Sequence, residues 1–97
     1  MNKYYIIEKI CYYEGFPVVE FAECKYLQNN IYNSEGNLNF INDIINSKHF
    51  NSQNESLQFI KDAIIKGQTT IENNICKYYI VECNLEFRKK YRLNVKV

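Results

Sequence analysis

The sequence has no tryptophan, one histidine, one proline and three glycines among its 97 residues. Each shortage argues against a class of protein. Gly15, Gly36 and Gly67 stand far apart, so no glycine cluster lets the backbone close around a phosphate, and a nucleotide-binding enzyme is not expected. Pro17 is the sole proline and no Ser/Gly-rich stretch occurs, which argues against a linker or a disordered chain. No hydrophobic run approaches the length of a membrane-spanning helix. The first residues, MNKYYIIEKICYYEG, do not predict a secretory signal, because the uncharged stretch Tyr4 to Ile7 is interrupted by Glu8 and Lys9. A cytoplasmic protein with reduced thiols is the expectation.

The four cysteines are separated by 12, 51 and 6 residues. A structural zinc site normally carries a C-x(2–4)-C knuckle, since a tight turn brings two thiolates to one ion. None is present, so Cys11, Cys24, Cys76 and Cys83 read as small hydrophobes, with no metal and no cofactor expected. His49 lies in a polar loop, SKHFNSQN. A pairing of His49 with a cysteine, or with Ser47 or Ser52, would need partners that meet only in space, and no nucleophile-elbow motif accompanies them. The carboxylates show neither D-x-D nor H-E-x-x-H. No catalytic residues are assigned and the chain is not expected to be an enzyme. A cryptic Cys/His enzyme or zinc protein is one alternative.

What the chain has in abundance is tyrosine, nine of them beside six phenylalanines, with much Asn, Ile and Lys. Net charge is +1, so no global excess points to nucleic acid or to an acidic partner. Charge is nevertheless segregated: Arg88, Lys89, Lys90, Arg92 and Lys96 crowd the last ten residues without an acid.

KYYIIE at residues 3–8 returns as KYYIVE at residues 77–82. Tyr, Ile and Val fit a half-buried pleated surface, so both copies predict strands. In the second, Lys77, Tyr79, Val81, Cys83, Leu85 and Phe87 form the better core face. In the first, both faces are apolar and the strand is expected to be covered on both sides. Antiparallel pairing of the two copies would bring each Lys toward the other copy's Glu. Glu8 and Glu82 read as solvated surface carboxylates.

Gly15 and Pro17 mark a turn, after which residues 18–27 predict a strand pairing back on the first. Residues 28–37 read as a polar loop, with room for a short strand at Ile31 and Tyr32. The spacing of Leu38, Ile41 and Ile45 predicts a short helix over 38–46, although Ile and Asn are mediocre helix formers and a strand is the other choice. The best-marked element is a helix over about 53–66. Ser52 and Glu55 make a capping box, Leu57, Phe59, Ile60, Ala63 and Ile64 make an apolar stripe, and Gly67 stands at the expected left-handed C-terminal position. The last run, FRKKYRLNVKV, predicts a strand with Phe87, Tyr91, Leu93 and Val95 on one side and Arg88, Lys90, Arg92 and Lys96 on the other.

Together these elements predict one α+β domain spanning residues 1–97, in the order β-β-(short α or β)-α-β-β. An antiparallel sheet of four or five strands would carry one helix on one face. The functional expectation is a small non-catalytic protein-binding module, with homodimerisation open to it because a Tyr-rich sheet can self-associate. Its type suggests a phage or mobile-element inhibitor of a host defence nuclease complex, anti-CRISPR-like. The expected contacts are Arg88, Lys90, Arg92 and Lys96, which would project at about 7 Å intervals from one side of a strand, together with Tyr12 and Tyr78. The second alternative is a nucleic-acid-binding module using the same basic strand.

Overall fold

The computed structural model describes residues 3–12, 22–69, 76–84 and 91–95. Five strands and one helix follow in the order β1 (Lys3–Tyr12), β2 (Ala22–Tyr32), β3 (Leu38–Ile41), α1 (Gln53–Ile65), β4 (Cys76–Asn84) and β5 (Tyr91–Asn94). The strands form one antiparallel sheet in the spatial order β3-β2-β1-β4-β5. The class is α+β, as the sequence predicts. The turn expected at Gly15–Pro17 lies outside the described residues.

The two KYY strands are β1 and β4, side by side in the centre, paired without interruption from Lys3↔Asn84 to Cys11↔Cys76. Alternation along β1 sends Tyr5 and Ile7 to one face and Tyr4, Ile6 and Glu8 to the other. Helix α1 covers the first face, where Ile7, Leu27, Tyr78 and Ile80 pack with Ile60, Ala63 and Phe50. Phe50 and Phe59 rings meet at 5.5 Å. The opposite face is closed as well: Ile6, Val81 and Cys83 are buried there, with Tyr4, Tyr26 and Tyr79 against them. The expectation that β1 is covered on both sides is met. The expected core face of β4 is corrected, because the helix lies on the Tyr78 and Ile80 side. Both alternating sets of β4 are apolar, so periodicity alone could not choose between them.

Local chemistry explains α1. Ser52 is extended (φ −141°, ψ 154°), and its side chain accepts the Glu55 amide at 3.1 Å, satisfying one of the orphan donors of a helix start. At the other end Gly67 takes φ +70°. Its amide donates to Ile64 O, and that of Gln68 to Ala63 O, which is the Schellman arrangement. Of the predicted stripe, Ile60 and Ala63 are fully buried, with Leu57, Phe59 and Ile64 partly so.

Two expectations about the middle of the chain change. The second strand runs to Tyr32, through the stretch read as a polar loop. Residues 38–41 form a strand rather than a helix, because pairing with β2 (Tyr26↔Ile41, Leu27↔Phe40, Tyr32↔Leu38) outweighs a weak helical preference. Past Ile41 the chain turns and enters the wedge where β1 and β2 diverge. Lys48 N donates to Leu27 O and Asn29 N to Asn46 O on one side, while Tyr5 and Phe50 exchange amide hydrogen bonds of 2.9 and 2.8 Å on the other.

Candidate functional site

The basic strand that carried the functional expectation is only partly described. Arg92 lies on β5 with its backbone across from Val81. Arg88, Lys90 and Lys96 lie outside the described residues. Tyr12 ends β1 across from Ala22. Tyr78, expected among the contacts, is buried instead: it is 2% exposed, shares a 2.6 Å hydrogen bond with Thr69 Oγ1, and packs at 6.0 Å from the Phe40 ring. A tyrosine hydroxyl needs a partner when buried, and Thr69, just past the helix, supplies it.

The hydroxyls weighed as nucleophile partners of His49 are already engaged. Ser47 is buried and its Oγ donates to Ile44 O at 2.7 Å. Ser52 Oγ caps α1. His49 stacks on Tyr4, ring centroids 4.0 Å apart, and β4 sets Cys83 directly across from Tyr4. Among the described residues no group of three or more His, Cys, Asp or Glu side chains could hold a metal ion.

Three further features of the structure stand out. The first is Glu8, expected at the surface and in fact fully buried. It sits on the central strand with Tyr26 of β2 on one side and Tyr79 of β4 on the other. Burial, and then the neighbouring Cys24 and Glu8 groups, push the Tyr26 hydroxyl up to about 12. The hydrogen bond between Tyr26 and Glu8 offsets part of that carboxyl's cost of burial. The signal was available only in the tyrosines at matching strand positions.

The second feature is the pair Cys11 and Cys76, directly opposite on β1 and β4, with sulfurs 2.7 Å apart. Burial and then the Cys76 sulfur raise the Cys11 thiol to about 11, against the opposing pull of Lys9 and Lys25.

The third is an apolar turn at the β3 edge of the sheet. Ile41, Ile44 and Ile45 are 44%, 37% and 86% exposed. The turn that carries them is fixed from inside. The buried Gln28 side chain donates to Asp43 O at 2.9 Å and to Ile41 O at 3.4 Å. Asp43 Oδ1 accepts the Ile45 amide at 3.0 Å, and Ser47 closes the turn through both its amide and its hydroxyl on Ile44 O. The helical spacing of Ile41 and Ile45 predicts a shared packing stripe, whereas both side chains are exposed.

Comparison with protein-family models, curated proteins and solved structures finds no match for this chain. No helix among the described residues is long and apolar enough to cross a membrane.

Proposed function

We propose that the chain is a small non-catalytic module that binds a protein partner through the turn at residues 41–47. The observation that carries this is the exposure of Ile44 and Ile45 on a turn whose backbone is held by Gln28, Asp43 and Ser47. Burying an isoleucine side chain contributes about 1.5–3 kcal/mol. An ordered turn loses little conformational entropy on docking, so more of that gain reaches the affinity. Apolar anchors beside polar neighbours, here Asn42, Asp43 and Asn46, are the usual make-up of an interface hot spot and its rim.

The finer form of the proposal is an inhibitor of a host defence nuclease complex. There the basic run from Arg88 to Lys96 would enter a groove built for nucleic acid, while the turn supplies apolar anchorage. A reducing cytoplasm is the proposed setting. Self-association is the competing use of the same turn.

The test is a photo-crosslinking amino acid in place of Ile45, compared with one in place of the exposed Lys61 on α1. The proposal expects a discrete protein adduct from position 45 that unlabelled wild type competes away and an Ile44→Asp, Ile45→Asp variant does not. Equal labelling from both positions, or equal competition by the variant, overturns it. An adduct of twice the chain's mass identifies a homodimer.

A further inference from the structure

We propose that Cys11 and Cys76 form a dithiol site that closes to an intramolecular disulfide by exchange with a low-molecular-weight disulfide such as oxidised glutathione. Four observations carry it.

The first is register. Cys11 and Cys76 are the last paired residues of an uninterrupted antiparallel ladder, so their side chains leave the sheet on the same face. The second is the kind of pair they make. Tyr5 commits its backbone amide and carbonyl to Phe50, on the side of β1 away from β4. Backbone groups alternate sides along a strand, so Cys11, six residues on, also turns its groups from β4. The β4 side agrees: Tyr78 O accepts from Val95, beyond β5, which turns Cys76 away from β1 by the same alternation. Cys11↔Cys76 is therefore a non-hydrogen-bonded pair, the kind with Cα atoms about 4.5 Å apart and side chains closest. That spacing lies within the range a disulfide spans, about 4.4–6.8 Å.

The third observation is the contact itself, with sulfurs at 2.7 Å, so no strand has to move for them to meet. The fourth is selectivity within the chain. Cys24 pairs with Ile10 and Cys83 with Tyr4, which puts both on the opposite face of the sheet. Cys83 is also buried. Cys11 and Cys76 are each partly exposed, open to a small disulfide arriving from solvent. Neither has a nearer protein thiol than the other.

The exchange balances as two thiols plus one glutathione disulfide giving one protein disulfide plus two glutathione thiols. The first protein thiolate attacks a glutathione sulfur, breaks its S–S bond and releases one glutathione. The second attacks the protein-side sulfur of the mixed disulfide and releases the other. The product would covalently join β1 at its last residues to β4 at its first. The site is independent of the proposed binding turn, which lies on the β3 edge.

The experiment equilibrates the purified, folded chain in glutathione buffers of decreasing reduced-to-oxidised ratio, quenches with a thiol-alkylating reagent, and maps peptides by mass. The expected result is a linked Cys11–Cys76 peptide, two hydrogens lighter than its reduced parts, rising as a single two-electron transition while Cys24 and Cys83 stay alkylated. In a Cys76→Ser variant the same buffers should leave Cys11 as a mixed disulfide with glutathione. Three outcomes overturn the proposal: a linked pair involving Cys24 or Cys83, stable glutathione adducts on wild-type Cys11 or Cys76 in place of the link, or both thiols still alkylated in excess oxidised glutathione.

Discussion

Tyr5 of the first KYY strand donates its hydroxyl to Glu82 Oε1 of the second, at 3.0 Å, from the position directly opposite. The converse pair, Glu8 across from Tyr79, lies on the other face of the sheet. The two hexapeptides thus exchange a Tyr–Glu neighbour twice, once beneath the helix and once on the far side. A repeat in sequence has become two non-equivalent Tyr–Glu neighbours, because the register places matching letters on opposite faces. Lys3 adds an ion pair to Glu82 at 3.7 Å, the contact expected of the first copy's Lys in an antiparallel pairing.

Loss of the Tyr5 hydroxyl is therefore expected to cost more than loss of the Lys3 charge. Tyr5→Phe removes a part-buried hydrogen bond and should lower stability by about 1 kcal/mol in urea unfolding. Lys3 is mostly exposed, and Lys3→Ala should cost less than about 0.5 kcal/mol. Its small effect should fade with added salt, whereas that of Tyr5→Phe should persist. Equal effects of the two substitutions would show that the ion pair, not the hydroxyl, holds this corner.

The helix offers a graded series. Ser52→Ala removes the cap and should cost about 1 kcal/mol, while Ser52→Gly costs only a few tenths. Ile60→Ala opens a cavity beneath the helix, where Ile60 is wholly buried, and should cost about 2–5 kcal/mol. Ile65→Ala, at 80% exposure, should change stability by less than about 0.5 kcal/mol. Denaturant midpoints of the four variants check the ranking, and a large effect at Ile65 would mean that residue is covered in solution.

How much of this was legible in the sequence follows from the range of each signal. The helix was, because Ser52, Glu55 and Gly67 act on backbone groups within one turn of themselves. The central strands were, because their hexapeptides are apolar on both sides. The face of β4 was not, since Tyr78/Ile80 and Tyr79/Val81 compete on equal terms until α1 chooses. Burial of Glu8 was hidden by the adjacent Lys9, which suggested solvent. The meeting of Cys11 with Cys76 depends on a register set between segments far apart in the chain, and no local spacing encodes it. The isoleucines of 41–45 misled by carrying helical spacing in a stretch that β2 draws into the sheet. Tyr78, expected as a contact, joins the core because Thr69 provides for its hydroxyl.

Alkaline pH should weaken the far face through Tyr26. The Tyr26 hydroxyl, at about 12 in the folded chain, returns to its usual value near 10 on unfolding. A raised folded-state value favours the neutral form, so its contribution is complete below pH 10 and disappears as pH rises toward 12. Tyr5, raised by its bond to Glu82 and then by burial, acts in the same direction. Carbon-13-labelled tyrosine followed by NMR should show a late-titrating ring that is absent in Tyr26→Phe. The same variant should flatten the loss of stability between pH 10 and pH 12. A Tyr26 ring titrating with the exposed tyrosines would refute the enclosed arrangement of Tyr26, Glu8 and Cys24.

The basic run distinguishes the proposed protein partner from nucleic acid through its salt dependence. Each phosphate contact made by a Lys or Arg releases counterions, so a run using Arg88, Lys90, Arg92 and Lys96 would lose affinity steeply between about 50 and 200 mM salt. Removing two of the four contacts should then lower the logarithmic salt slope by about 2. Under the protein-binding proposal, an Arg88→Glu, Arg92→Glu variant instead leaves DNA and RNA retention as weak as in the wild type at both salt concentrations. Its effect appears as slower, more salt-sensitive association with the partner captured at Ile45, because charge at an interface rim acts mainly on the encounter rate. A wild-type nucleic-acid complex that survives the higher salt and is abolished in the variant would assign the run to nucleic acid. The turn at 41–47 would then have to be explained as a contact to a second component.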